Sequence, residues 1–296
     1  MPAGVPRNRH MTSAAIESDH AMALPARHLA PLVRRYVGYR YRGLQPGFHR
    51  GLPSAELTVV LSLGAPTRVA GMPDPCTPAT EFGALVGGLH TTPAVISYDD
   101  ELYGVQLDVT PRGARSLFGV PAAELARTVV GLEELIGSDA GELVERMHAA
   151  GGWAARFQIL DEALSRQVYR LAPAADAVER AWDLIEASGG AARVATVAAA
   201  VGWSRRQLHE RFVREYGVTA KDLARVVRFD RSQRLLRRRP AMTLSEAAAT
   251  SGYYDQAHMA RDWNQLAGCP PSRWLADEEL PFVQDEDLAA ASSSAV

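Results

Sequence analysis

The chain of 296 residues is 47% hydrophobic and 22% charged, the composition of an ordinary globular protein with enough residues for two domains. It has no apolar run of the ~20 residues that a membrane-spanning helix needs and no apolar N-terminal core typical of a signal peptide, so we expect a cytoplasmic protein without membrane contact. Two cysteines, Cys76 and Cys269, lie far apart and outside any CxxC motif, which argues against a disulfide framework and a zinc cluster.

The formal net charge of −2 hides an uneven distribution. Residues 190–276 contain 15 Lys and Arg against 7 Asp and Glu, whereas the remainder contains 17 against 27. A basic segment joined to an acidic one is typical of a module that binds a polyanion and is attached to a module with another task.

The first two thirds of the chain predict a β-rich domain over residues 23–187. Residues 1–22 show no apolar periodicity, and we expect them to be a disordered arm. From about Val37 to Val109, short apolar runs such as ELTVVLSLG and LYGVQLDVT predict a small antiparallel sheet or barrel. Helical periodicity follows from Pro111 to Ser188. Its two apolar stripes consist of Phe157, Leu160, Leu164, Val168 and Leu171, and of Val178, Trp182 and Ile185.

An internal repeat follows the SGGAAR stretch at 188–193, which we interpret as a linker. VAAAVGWSRRQLHERF and SEAAATSGYYDQAHMARDW each read as a helix, a Gly turn and a second helix, so residues 194–276 predict an all-α domain with two helix-turn-helix units. Thr219–Arg239 contains neither Gly nor Pro and predicts a linking helix roughly 30 Å long. Successive major grooves on one DNA face lie roughly 34 Å apart, which suits two recognition helices so joined. Residues 277–296 are expected to be a disordered tail.

The second helix of the first unit separates a buried face from an exposed one. Ser204 and Gln207 have the spacing of a capping box, and an apolar stripe follows at four-residue intervals. Four polar residues must then point outward: Arg205, Arg206, His209 and Glu210. A solvated helix face is the alternative, but the duplication and the basic surplus favour DNA binding.

Residues from about Arg193 to Leu275 resemble the DNA-binding domain of AraC/XylS-type transcription regulators. The resemblance rests on SRRQLHERF at 204–212, GVT at 217–219, GYYDQAHMAR at 252–261 and GCPPSRW at 268–274. Residues 24–185 more loosely resemble the sensor half of a group of actinobacterial-type regulators, through LPSAELTVVLSL and GVPAAELARTVVGLEELIG. The resemblance implies an α+β chain and a sequence-specific transcription factor whose N-terminal domain binds a small effector, dimerises, or both.

The resemblance also implies base-reading positions. They fall on Arg206, His209 and Glu210, beside Arg205, in the first unit and on Gln256, Ala257, Ala260 and Arg261 in the second. Arginine suits guanine, glutamate accepts from cytosine and glutamine reads adenine, whereas the two alanines offer only apolar contact. The two alanines depart from the family pattern, and so does Ala220, which replaces a proline common in the family. We expect this replacement to leave the start of the linking helix less sharply defined.

The remaining motifs point away from catalysis. His49 and His90 lack a complete ligand set, Cys76 has no clustered partner, and neither a P-loop nor a GxSxG motif occurs, so we predict no catalytic residue, metal or cofactor. The alternative is a DNA-targeted enzyme or repair-type protein with its chemistry in residues 24–185. A third interpretation is an N-terminal domain that recognises another protein.

Expected partners are double-stranded DNA, RNA polymerase, an unknown small-molecule effector and a second copy of the chain. Six aromatic residues either line a pocket or form the core: Tyr36, Tyr39, Tyr41, Phe48, Tyr98 and Tyr103.

Overall fold

Two antiparallel sheets form the N-terminal half of the computed structural model, which describes residues 16–168 and 176–277. One sheet has the strand order β1-β2-β9-β4-β7-β10 and the other β3-β8-β5-β6. The strands are β1 (Glu17–Ala23), β2 (Val33–Arg42), β3 (Gly47–Gly51), β4 (Leu57–Ser62), β5 (Thr67–Gly71), β6 (Thr80–Phe82), β7 (Ala84–Gly87), β8 (Ala94–Tyr98), β9 (Glu101–Val109) and β10 (Val129–Gly131).

Alternation along the central strands separates a core face from a cavity face. Leu57, Val59 and Leu61 of β4 are buried in the main apolar core. Their neighbours Thr58 and Val60 point the other way and line a cavity that residues of both sheets enclose. The predicted barrel-like β-rich domain is therefore confirmed as two open sheets that face each other.

The prediction that residues 1–22 are a disordered arm is wrong for Glu17–Met22, and residues 1–15 lie outside the described part of the chain. Glu17–Ala23 pairs in register with β2 over its whole length. Most of its side chains are exposed, because an edge strand is held by backbone hydrogen bonds and needs little apolar burial. Trp153 Nε1 adds a contact by donating to the Asp19 carboxylate at 3.1 Å.

Helices cover the outer face of the larger sheet. They are α1 (Pro111–Phe118), α2 (Leu132–Ile136), α3 (Ser138–Ala149) and α4 (Trp153–Val168), with a short 3-10 helix at Ala122–Leu125. The stripe predicted for α4 is confirmed at Phe157, Leu160 and Leu164, which are buried. Leu171 of that predicted stripe lies outside the described residues. Phe157 stacks on Tyr36 at 5.8 Å between ring centroids, which joins α4 to the sheet.

The C-terminal half is helical and contains the two predicted helix-turn-helix units. Its helices are α5 (Asp176–Ala187), α6 (Val194–Ala200), α7 (Arg205–Tyr216), α8 (Ala220–Arg238), α9 (Leu244–Thr250), α10 (Gln256–Leu266) and α11 (Pro271–Asp277). Helices α6 and α7 form the first unit, α9 and α10 the second, and α8 is the linking helix. Asp277, predicted to begin the tail, is the last residue of α11. Among the residues that the structure describes, no helix is long and apolar enough to cross a bilayer.

The predicted domain boundary at residues 188–193 is too late, because α5 packs on the helix-turn-helix units. Trp182 of α5 stacks on Phe212 of α7 at 5.6 Å between ring centroids and lies 4.4 Å from the ring of Tyr216. The SGGAAR stretch is a packed turn, since Arg228 Nη1 of α8 donates to the Gly190 carbonyl oxygen at 2.6 Å. The C-terminal domain therefore begins with α5.

The expectation of a poorly defined start for α8 is also wrong. Thr219 caps the helix: its hydroxyl accepts from the Asp222 backbone N–H at 3.0 Å, and the Asp222 carboxylate accepts from the Thr219 backbone N–H at 3.3 Å. This capping box fixes the helix start without a proline, because it satisfies backbone donors that would otherwise lack an acceptor.

The two halves share one continuous apolar core and several ion pairs. Arg115 of α1 donates two hydrogen bonds to the Glu215 carboxylate at the end of α7, at 3.1 and 2.8 Å. Gly217 is the C-cap residue of α7 and has φ +70°. It lies against the 3-10 helix, where a Cβ atom on Gly217 would come within 2.3 Å of the Ala126 Cβ atom. Helix α7 is thus anchored to the N-terminal domain at its C-terminal end.

A cluster of carboxyl groups lies between the halves. Burial, together with the neighbouring carboxylates of Asp108, Asp230 and Glu186, raises the pKa of Glu56 to about 8, although Arg34, with Nε at 3.5 Å, opposes the shift. Burial likewise raises the pKa of Glu186 and of Asp230. The cations among these groups are Arg34, Arg35, which pairs with Asp108, and Arg234, which pairs with Asp230.

Substituting Glu56→Gln should remove a pH dependence of stability. The folded chain keeps this carboxyl protonated up to about pH 8, whereas the unfolded chain ionises it near its ordinary pKa of 4.5, so rising pH favours unfolding across that window. Between pH 5 and pH 8, the free energy of unfolding of the wild type should fall by on the order of a few kcal/mol more than that of the variant. Urea unfolding at both pH values measures this difference. Equal pH slopes for the two proteins would mean that Glu56 is already ionised in the folded chain.

Candidate nucleic-acid interface

The N-terminal end of α7 presents two arginines on a capped helix. The Ser204 hydroxyl accepts from the Gln207 backbone N–H at 3.2 Å, and Gln207 Oε1 accepts from the Ser204 backbone N–H at 2.9 Å. Arg205 and Arg206 follow the cap and are exposed. The positive end of the helix dipole disfavours cations at this end, so the arrangement gains most when a polyanion lies in front of it.

The predicted division of α7 into two faces agrees with the structure. Leu208, Phe212 and Tyr216 are at most 2% exposed. The four predicted site residues on the opposite face are all exposed: Arg205, Arg206, His209 and Glu210. The stacking on Trp182 described above holds the buried face, so the exposed face has a fixed orientation.

Arg206 and Glu210 form an ion pair that the sequence interpretation overlooked. Arg206 Nε donates to Glu210 Oε1 at 2.8 Å, and the side chains are 88% and 56% exposed. The i,i+4 spacing was the signal that could have revealed it. The pair raises the pKa of Arg206 and lowers that of Glu210, so both groups stay charged. The hydrogen bond uses only Nε of Arg206 and Oε1 of Glu210, so other donors of the guanidinium and the second carboxylate oxygen are available to a base.

The second recognition helix, α10, begins in the same way. Asp255 is its N-cap and accepts from the His258 backbone N–H at 2.6 Å. Gln256, Ala257 and Arg261 are exposed and Ala260 is half-buried, while Met259 is fully buried. The predicted site residues of the second unit therefore share one face at the N-terminal end of their helix, as those of the first unit do.

The arginines of α8, with the C-cap residue Arg239, fall into two groups. Arg225, Arg228 and Arg237 are half-buried; the first two face the second unit, and the Arg237 guanidinium lies 4.4 Å from the centre of the Trp274 ring. The exposed group is Arg231, Arg234, Arg238 and Arg239. Arg234 pairs with Asp230. Arg225 lies 3.7 Å from Asp222 but makes its closer contact elsewhere.

That closer contact is with Asp262 of α10, a residue that sequence reasoning missed. Arg225 Nε donates to Asp262 Oδ1 at 2.9 Å, and the Asp262 side chain is only 8% exposed. Arg228 Nη2 and His258 Nε2 each lie 3.9 Å from Asp262 Oδ2. Together with Trp263, whose Nε1 donates to Ser232 Oγ at 2.9 Å, this carboxylate fixes α10 on α8.

A family model described as a helix-turn-helix domain matches residues 197–277, which cover both units and the linking helix. The chain carries an AraC-type helix-turn-helix domain. This domain makes the chain a DNA-binding protein of the transcription-regulator class. A second model, a domain of unknown function (DUF6597), matches residues 21–131. No curated protein matches the chain significantly.

Solved structures of similar fold accompany the AraC-type domain match. An apo variant of ToxT from Vibrio cholerae is 14% identical to this chain, with a TM-score of 0.51. The match covers 82% of this chain and 97% of the ToxT chain. A second ToxT structure from Vibrio cholerae is 11% identical, covers 90% of this chain and 100% of its own, and also has a TM-score of 0.51. At these identities the likeness shows a shared fold. A transcriptional regulator from Chromobacterium violaceum with an AraC-type DNA-binding domain is 21% identical over 36% of this chain and 95% of its own, with a TM-score of 0.33.

Outside the AraC-type domain, the six aromatic residues that were expected either to line a pocket or to form the core divide. Tyr39 and Tyr41 line the cavity between the sheets, and so do His49 and His90, which were considered only as metal ligands. Tyr36 belongs to the core, and the other three aromatic residues, Phe48, Tyr98 and Tyr103, are absent from the cavity wall. Within residues 16–168 and 176–277, no three His, Cys, Asp or Glu side chains are grouped as metal ligands.

Proposed function

We propose that the chain is a sequence-specific transcription regulator that places α7 and α10 in successive major grooves of one DNA face. One observation carries the proposal: both recognition helices expose their capped N-terminal ends while their buried faces are fixed to the same body. Helix α8 has 19 residues, which corresponds to roughly 28 Å at about 1.5 Å per residue. That length suits the roughly 34 Å between successive grooves.

The proposed base contacts follow from side-chain chemistry. Arg206 suits a bidentate contact with guanine, Glu210 an acceptor contact with cytosine and Gln256 a contact with adenine. Ala257 and Ala260 offer methyl groups to thymine, so Gln256 and Arg261 supply the polar specificity of the second unit. Arg205 and His209 lie beside these positions as further contacts.

The substitution Arg206→Ala tests the proposal. It should weaken binding to the preferred DNA by about 1–3 kcal/mol and relax the preference at one base pair. Titration of preferred and random DNA at one salt concentration measures both effects. Arg214→Ala is the matched control, because this exposed arginine is in the last turn of the same helix and its loss removes the same charge. Equal losses on preferred and random DNA for Arg206→Ala would contradict a base-reading role.

We further propose that the N-terminal domain regulates DNA binding. The support is the cavity between the sheets together with the continuous core that joins the domains. A small-molecule effector is the proposed occupant. RNA polymerase and a second copy of this chain are the other proposed partners.

A further inference from the structure

The cavity between the two sheets has the size of a small-molecule site. Its volume is about 130 Å³, and strands from both sheets contribute aliphatic side chains to its wall, among them Val60, Val69, Leu85 and Ile96. For comparison, an engineered protein cavity of about 150 Å³ lined by apolar side chains binds benzene. The space therefore suits a ligand of about one substituted ring.

The cavity wall carries polar groups, among them the imidazoles of His49 and His90. Among the described residues that line it, none is Asp, Glu, Lys or Arg. Tyr39, Thr58, Thr67 and Gln106 contribute hydroxyl and amide groups. Gln106 is held in place because its Nε2 donates to Asp108 Oδ1 at 2.8 Å. A charged ligand would lose its hydration without gaining a carboxylate, ammonium or guanidinium partner from this wall, so the wall favours an uncharged ligand over a carboxylate or an amine.

His90 offers a hydrogen-bond acceptor at this wall. Its Nδ1 lies 2.6 Å from the Thr92 carbonyl oxygen, which can only accept, so Nδ1 carries the proton. Burial lowers the pKa of His90 to about 4, and the ring is neutral at pH 7. Its Nε2 consequently holds a lone pair that can accept from a hydroxyl or N–H group.

Two residues of the wall also reach the AraC-type domain. Leu52 lines the cavity and belongs to the apolar cluster that contains Phe229 of α8 and Trp263 of α10. His90 lines the cavity and also a small second cavity, whose wall includes Leu223 and Val226 of α8. A molecule in the main cavity would thus touch side chains that border the linking helix.

We propose that the cavity binds an uncharged, mainly apolar molecule of about one ring with a hydrogen-bond donor for His90, and that Leu52 and His90 transmit its presence to α8. The ligand class follows from the cavity wall alone. The transmission rests on the proposed function, because DNA affinity is the quantity that would change.

Thermal unfolding of the full chain tests the ligand class. Phenol and indole are the neutral probes, and benzoate is the control of similar size with a negative charge. At ten times the dissociation constant of the probe, phenol or indole should raise the unfolding temperature by about 2–4 °C, and benzoate should not. Ile96→Phe and Val60→Phe each fill the cavity and should abolish the rise, with the fold checked by circular dichroism. The proposal is overturned by an equal rise with benzoate, by a rise that persists in both filled variants, or by no rise with either neutral probe.

Val226→Ala tests the transmission, because Val226 of α8 shares the apolar cluster of Leu52 and borders the second cavity with His90 but does not line the main cavity. In the wild type, phenol or indole should change the affinity for DNA recovered from a random pool by about fivefold or more, in the range of typical allosteric couplings. In Val226→Ala the thermal rise should remain and the change in DNA affinity should be lost. An unchanged response of DNA affinity in Val226→Ala would overturn the transmission. If the chain binds DNA but its DNA affinity does not respond to either probe, only the transmission is refuted. If the chain never binds DNA, the proposed function is refuted, and the thermal experiment alone tests the ligand site.

Discussion

Substituting Trp263→Ala should destabilise the AraC-type domain by about 3–5 kcal/mol, the range for truncation of a buried large aromatic side chain. Trp263 is fully buried and packs edge-on against Phe229 at 4.8 Å and Trp274 at 5.1 Å between ring centroids. Its loss also leaves the Ser232 hydroxyl without the indole donor that α10 supplies. Urea unfolding monitored by circular dichroism measures the change.

Tyr254→Ala is the matched control for that substitution. Tyr254 precedes α10, is 92% exposed and also loses an aromatic ring when changed to alanine. The free energy of unfolding of Tyr254→Ala should differ from that of the wild type by less than about 0.5 kcal/mol, as is usual for surface positions. If the two variants were equally stable, Trp263 would not be holding the second recognition helix on α8.

Substituting Asp262→Ala should cost about 3 kcal/mol of stability and weaken DNA binding through the second unit. The substitution removes the closer and more buried of the two carboxylates beside Arg225, whose side chain is 19% exposed, and breaking a buried ion pair is costly. Arg228 loses a neighbouring carboxylate at the same time. Because the pair joins α8 to α10, the orientation of the second recognition helix should loosen before the domain unfolds. Urea unfolding and DNA titration measure the two effects.

A more exposed ion pair of the same domain provides the control. Arg273 Nε lies 3.0 Å from Asp277 Oδ2, and their side chains are 43% and 32% exposed. Arg273→Ala should therefore cost at most about 1 kcal/mol of stability. It leaves Asp277 in place beside the buried Arg50, whose Nη2 lies 3.9 Å from Asp277 Oδ2. Asp262→Asn keeps an acceptor for Arg225 and should cost an amount between those of Asp262→Ala and Arg273→Ala. Equal stability losses for Asp262→Ala and Arg273→Ala would refute a special role for the α8–α10 pair.

Local chemistry explains why the recognition helices could be predicted closely. The cap of α7 involves residues three positions apart, and its buried stripe repeats every four, so the N-cap Ser204 and the 12 residues of the helix encode both. The exposed faces followed directly from these patterns. The base contacts proposed for those faces are still predictions, because side-chain exposure does not identify a base.

Contacts between distant residues explain the errors. The apolar stripe of α5, which includes Trp182, predicts that this face is buried but not whether it packs on the sheet or on α7. The periodicity of α5 therefore could not assign the helix to a domain. Arg225 has Asp222 three residues away in the sequence, whereas its closer partner, Asp262, lies 37 residues further along the chain and could not be inferred from local spacing. Likewise, β1 is defined by its register with β2, which its own polar sequence does not reveal.

Selection of preferred DNA from a random pool, followed by footprinting of the wild type and two variants, tests the placement of both recognition helices most directly. We predict two sequence elements with centres about 10–10.5 base pairs apart on one face of the duplex. Arg206→Ala should relax one element and Gln256→Ala the other. A single element, or relaxation of the same element by both variants, would contradict the account.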